Sequence, residues 1–263
     1  PDPRRAERDE IRERVMGPLL EETSWHLMHP SPLPPEVHDT TYITNLGLDF
    51  MQRHVAEHAG EPFFCHISYV DPHDPYDPPE PYAGMFDPDD MPEPLPAEWI
   101  EEEIETLARA QREFHSFAEV YDKPEIMREL RAYYHGSLRY MDDQIARIVA
   151  FLEENGLWDN TILVFTTDHG DQLGDHGLIT KGVKPYDTGI RVPLILAGAG
   201  IATEAVDRLT CTLDFYPTFC GLCGLPVPSP VEGVDLADAW RGKPGAEVPD
   251  FTPAMNFCDS ADN

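Results

Sequence analysis

Between Asp39 and about His58, the apolar residues Ile43, Leu46, Leu48, Phe50, Met51 and Val55 recur at helical spacing, and the chain predicts an amphipathic helix there. Pro62 stops it. Phe63-Phe64-Cys65-His66-Ile67-Ser68-Tyr69 is a compact aromatic run that reads as a buried strand. The prolines of Val70-Asp71-Pro72-His73-Asp74-Pro75-Tyr76-Asp77-Pro78-Pro79 fix φ and remove donors, so this segment is a stiff loop directly after the strand. Residues 80–97 continue as loop, rich in proline and acid. Helical patterning resumes near Glu98 and, after Pro124, runs to Glu154. There Leu138, Met141, Ile145, Ile148, Val149 and Leu152 fall at three- and four-residue intervals and predict a core face. Asn155-Gly156 ends that helix, both residues tolerating the left-handed conformation. Thr161–Thr167 is the clearest strand, apolar enough to be expected buried on both faces. A second buried strand is expected over Val192–Ala197, and Thr212–Leu225 reads as a helix.

Helices alternating with continuously apolar strands predict an α/β fold: a mixed, mostly parallel sheet with helices on both faces. Residues 1–36 read as a short helix and a charged, Pro-rich connection, 37–243 as one domain without internal repeats, and 244–263 as a polar tail. The chain opens Pro-Asp-Pro-Arg-Arg, with no initiator Met and no apolar leader. We therefore expect a piece of a longer protein, incomplete at its N-terminus and also at its C-terminus.

Composition narrows the function classes. The 263 residues are 41% apolar and 10% aromatic, enough for a sizeable core and against global disorder. Acids outnumber bases 49 to 19, a net charge of −30, so the positive surface that nucleic-acid phosphates require is missing. No run approaches the 18 or so apolar residues of a membrane-spanning helix. Lysine is confined to Lys123, Lys181, Lys184 and Lys243, a pattern that fits adaptation to high salt and equally a GC-rich genome with an acidic surface. The five cysteines lack disulfide-scaffold spacing. Cys220 and Cys223 form a C-x-x-C without a second pair of ligands, and buried, inert thiols are the expectation.

In open α/β sheets ligands bind beyond the carboxyl ends of the strands. Two strands here run into polar loops, one at Asp71–His73 and the other at Asp168–His169, and as parallel neighbours they would share one edge. A carboxylate oxygen beside an imidazole nitrogen makes half a site for a divalent metal. The plainer alternative is that Asp168 caps a turn and His169 lies on the surface. Gly170-Asp171-Gln172-Leu173-Gly174-Asp175-His176-Gly177-Leu178 can bend tightly around a ligand, and it leads to Lys181 and Lys184, two of the four lysines. A solvated pair is one explanation. An anion held in so acidic a chain is the other, since it needs cations within the screening length of about 8 Å.

Thr166-Thr167-Asp168-His169-Gly170-Asp171-Gln172-Leu173-Gly174-Asp175-His176-Gly177, then Lys181-Gly182 and Tyr186-Asp187-Thr188-Gly189-Ile190-Arg191-Val192-Pro193-Leu194, resemble the sulfatase family of the alkaline phosphatase superfamily. Phe63–His73, Tyr134–Asp143 with Leu157–Thr161, Leu213–Thr218, Gly224-Leu225-Pro226 and Glu232–Leu236 resemble further family segments in the same order, so that the likeness covers roughly residues 37–243. The resemblance implies an alkaline phosphatase-like fold and hydrolysis of a sulfate ester, or of a phosphonate monoester or phosphodiester. A non-catalytic homologue that binds anions is the reading from another class.

Carried over by motif, Asp168 and His169 would be metal ligands. Lys181 would contact the ester oxygens, and His73 would stabilise or protonate the leaving oxygen. Lys184 and His176 match no position that carries a role, and His176 is expected to be a loop residue. The resemblance further implies one divalent cation, a small-molecule or carbohydrate sulfate ester as substrate, and a formylglycine nucleophile installed by a formylglycine-generating enzyme. Calcium is the family's usual ion. Imidazole suits Mn²⁺ or Zn²⁺ better, and His169 stands where many sulfatases carry Asn and where relatives acting on phosphorus esters more often carry His. None of Cys65, Cys211, Cys220, Cys223 and Cys258, and no serine, sits in the nucleophile motif, and the first pair of metal aspartates is missing as well. Both are expected upstream of Pro1, and the chain by itself is expected to be catalytically silent.

Overall fold

A computed structural model of the chain describes residues 28–96, 123–181, 186–203, 209–246 and 248–250. The helices expected before residue 28 and over 98–122, Lys184 and most of the polar tail lie outside these residues. The described residues form two compact units. One holds those up to Glu154 together with Gln172–Thr180, and the other holds Asn155–Asp171 and those from Lys181 onward.

The first unit is built on two helices, α1 (Asp39–Glu57) and α2 (Pro124–Glu154). His38 caps α1, its ring accepting the Thr40 N–H, and so supplies one donor's partner at the helix start. α2 buries Leu130, Ser137, Met141, Gln144, Ile148 and Leu152, whereas the expected core residue Leu138 is 37% exposed. Met141, Ile148 and Leu152 are buried as expected, but Ser137 and Gln144, polar in sequence, take the packed positions beside Leu138 and Ile145. Tyr76, Met127, Leu130 and Ile179 form the core of this unit, with Leu173, Tyr133 and Tyr134 packed against it. Burying each such side chain contributes on the order of 1.5–3 kcal/mol.

Residues 63–70 differ from the expected buried strand. They are extended but pair in no ladder among the described residues, and their exposure alternates. Ile67 packs so tightly on α1 that a Cβ at Gly47 would lie 2.5 Å from its Cδ1. The Tyr69 hydroxyl bonds to that of Thr44 at 2.9 Å, and the Phe63 ring meets Phe50. The opposite face stays open, with Phe64 81% exposed. The Pro-rich loop that follows is irregular, as its composition dictates, with a single short 3₁₀ turn at Pro88–Asp90.

The second unit contains β1 (Ile162–Thr166), the short helix α3 (Asp187–Ile190), β2 (Leu194–Gly198), α4 (Phe215–Cys223) and α5 (Ala237–Trp240). β1 pairs with β2 in an antiparallel register from Ile162–Gly198 to Thr166–Leu194. The ladder among the described residues is thus antiparallel, and β1 is half-buried along its whole length rather than sealed on both faces. Ile162, Leu194 and Leu196 turn one face of this pair onto Leu222, Leu236 and Trp240 of the helical layer. Cys220 is buried as expected, but Cys223 at the end of α4 is exposed. No helix among the described residues is long and apolar enough to cross a membrane.

Candidate functional site

Asp168 and His169 follow directly where β1 ends. The strand's backbone is committed to the ladder as far as Thr166, and the chain turns immediately after it. Gly170 makes the turn possible. Its N–H donates to the Gly189 carbonyl at 2.8 Å, and a Cβ there would sit 2.1 Å from the Thr188 carbonyl oxygen, so only glycine fits against α3. Asp168 Oδ1 accepts the His169 N–H at 3.0 Å and the Thr167 hydroxyl at 3.3 Å, while Oδ2 lies 3.8 Å from His169 Nε2. Partial burial alone would raise the Asp168 pKa. The nearby His169 ring and the hydrogen bonds to the carboxylate outweigh it and hold the group below the ordinary carboxylate value. The Asp168 side chain is 85% exposed, so this ionised oxygen faces outward. Asp168 therefore does cap its own turn, and it also presents an oxygen beside an imidazole nitrogen.

Such a pair fits part of the coordination shell of a divalent cation: one hard oxygen, kept ionised, and one borderline nitrogen. Lys181 is exposed in the same unit. His73 stands in the other unit, on the Pro-rich loop. Its Nδ1–H donates to the Asp74 carbonyl at 2.7 Å and lies 3.1 Å from the buried Asp74 carboxylate. That arrangement assigns the Nδ1 proton to the Asp74 carbonyl.

The loop after His169 is held by a residue that nothing in the sequence pattern singles out. Arg131 of α2 is buried and donates from Nε to the Leu173 carbonyl at 2.9 Å. Its Nη1 reaches the Pro92 carbonyl at 2.9 Å and its Nη2 the Asp175 carboxylate at 2.6 Å. Asp175 also accepts the Leu95 N–H at 2.8 Å. Leu173 and His176 sit in the left-handed region, at φ 50° and 58°, a conformation that L side chains adopt at a cost and that this clamp maintains. His176 accordingly behaves as a loop residue: its backbone N–H bonds to the Leu95 carbonyl at 3.0 Å.

A second polar cluster escaped sequence reasoning. His38, Asp71 and Asp77 place one potential ligand atom each within 4.8 Å of one another. His38 and Asp71 are both buried, and Asp71 accepts a short hydrogen bond from the Thr40 hydroxyl. Burial pushes the Asp71 pKa up, and His38 and Thr40 offset only part of that effect. The one signal in the sequence was the recurrence of Asp before Pro at 71, 74 and 77; nothing local announced that His38 meets it.

The family model described as Sulfatase matches residues 8–225. The chain belongs to the sulfatase family. An arylsulfatase of Clostridium perfringens is 34% identical over 207 residues, covering 77% of this chain and 42% of the relative. The multifunctional alkaline phosphatase superfamily protein PehA of Trinickia caryophylli is 34% identical over 224 residues, with 79% and 42% covered. Among solved structures, a phosphonate monoester hydrolase from Silicibacter pomeroyi superposes with a TM-score of 0.72 at 30% identity. The match covers 85% of this chain and 44% of that one. The fold of this sulfatase-family chain is thus the alkaline phosphatase-like α/β fold expected from its sequence. The chain spans less than half the length of these relatives.

Proposed function

We propose that the protein carrying this chain is a metal-dependent hydrolase of sulfate esters. The observation that supports this reading best is the Asp168–His169 pair where β1 ends, an ionised carboxylate beside an imidazole, embedded in the sulfatase segment it shares with an arylsulfatase. A divalent cation held by Asp168 and His169, with further donors from outside this chain, would polarise the transferred group and lower the pKa of the attacking oxygen. The attacking group itself, formylglycine by family expectation, belongs to the part of the protein outside this chain.

The roles of the chain's own residues follow from their chemistry. Asp168 stays ionised and donates no proton. His169 supplies a nitrogen ligand. Lys181 binds the ester's anionic oxygens, a task for which a chain of net charge −30 has few cations to offer. His73, with Nδ1–H committed to Asp74, carries a proton on Nε2 to the departing oxygen, and such acid assistance is worth roughly 10²–10⁴-fold.

A second reading rests on His169 and on the phosphonate monoester hydrolase neighbour: the same constellation hydrolysing phosphonate monoesters or phosphodiesters. Assay of the intact protein, matured by a formylglycine-generating enzyme, on paired aryl sulfate and aryl phosphonate esters separates the two. Sulfate turnover at least tenfold above phosphonate turnover supports the first reading; the reverse ratio installs the second. Metal bound without turnover of either ester leaves a non-catalytic anion-binding protein.

A further inference from the structure

We propose that His38, Asp71 and Asp77 form a second divalent-cation site, separate from Asp168 and His169, that staples the Pro-rich loop bearing His73. The three donors come from distant points of one unit. His38 is the N-cap of α1, and Asp71 and Asp77 stand at the two ends of the Asp71–Asp77 loop. Their ligand atoms already lie within 4.8 Å of one another. The donor set, one imidazole and two carboxylates, is that of a first-row divalent ion with a fourth position open to water.

Burial supplies an independent reason. The His38 and Asp71 side chains are only 7% and 8% exposed. Thr40 takes Asp71 Oδ2, and among the described residues Oδ1 accepts no hydrogen bond. A largely buried carboxylate with a single side-chain donor is costly to keep charged, and a cation offsets that cost. The His38 ring is held in place from the other side by the edge of the Tyr140 ring, with centroids 5.1 Å apart, so the imidazole is oriented before any ion arrives. Ligand bonds of about 2.0–2.2 Å require the donors to close by about 1 Å. The loop can supply that movement at Asp77, the least buried of the three.

Such an ion would close a ring of seven residues that contains His73 and its partner Asp74. It would thereby fix the acid of the proposed reaction without touching substrate. The site's existence does not depend on that reaction.

The test uses the EDTA-stripped chain titrated with Co²⁺, whose visible absorption reports low-coordinate nitrogen and oxygen ligation and whose thiolate charge-transfer band reports any binding at Cys220 and Cys223 instead. One equivalent should bind without the thiolate band. The affinity should fall at least tenfold in His38→Gln, which can still cap α1, and in Asp71→Asn, and should persist in the Asp168→Ala/His169→Ala double variant. Absence of binding, unchanged affinity in folded His38→Gln, or loss confined to the double variant would overturn the proposal. Because the double variant removes only the β1 pair, failure here leaves the sulfatase reading intact, and failure of that reading leaves this one.

Discussion

Tyr140 shows how much a single side chain organises. It is fully buried on α2, its hydroxyl donates to the Pro35 carbonyl at 3.0 Å and accepts from the Thr41 hydroxyl at 2.6 Å, and its ring meets His38 and Tyr82. Burial is the main cause that pushes its pKa above the ordinary tyrosine value of 10.0. A raised pKa favours the neutral, folded form. The resulting stability is fully present below pH 10 and is lost as pH rises through the folded-state value, because the unfolded chain releases the proton first. Tyr140→Phe should therefore cost about 1–3 kcal/mol at neutral pH, by stranding the Thr41 and Pro35 partners. The gap to wild type should narrow above pH 10, as read from urea unfolding at a series of pH values. A gap that widens in alkali would contradict the burial argument. Residue-scale chemistry was only partly legible in the sequence. Asp168 and His169 announce themselves because they are adjacent and end a strand. His38 and Asp71 are more than 30 positions apart, and only the packing of α1 against the 63–70 segment brings them together.

At the scale of elements, periodicity located α1 and α2, and an unbroken apolar run located β1, because each of those patterns has one physical reading. The failures have causes too. Three- and four-residue spacing places Leu138 on the core face, yet Ser137 and Gln144 are buried and Leu138 is 37% exposed. The run at 63–69 was read as sealed because its residues are apolar, although only alternate ones reach α1. The loop Gln172–Thr180 was legible as a glycine-rich bend, but its anchor was not, since a buried arginine looks like any other in sequence. Arg131 and Asp175 form a nearly buried pair with exposures of 9% and 13%. Removing one partner leaves a charge without compensation, and Arg131→Met should destabilise the chain by roughly 3–5 kcal/mol. Hydrogen exchange should speed up first at Leu173, Gly174 and His176, whose N–H groups depend on the held loop. Exchange there at the wild-type rate would show that the backbone bonds alone suffice.

At the scale of the molecule, the residues of the proposed site fall in two separate units. One bears His73 on a loop stiffened by prolines, and the other bears Asp168, His169 and Lys181. With 49 acids against 19 bases, the chain has few cations besides a metal with which the proposed site could hold an anionic ester. Family membership accounts for the fold and for the segment around β1. In the proposed reaction Asp168 belongs to the metal shell on which turnover depends. The most direct test is aryl sulfate hydrolysis by the intact, matured protein beside its Asp168→Ala variant, with metal content measured on both. Loss of the polarising ion is worth several kcal/mol in the transition state, so the variant should lose about 10³-fold in kcat/KM together with its β1-site metal. Unchanged turnover with unchanged metal content would contradict the account.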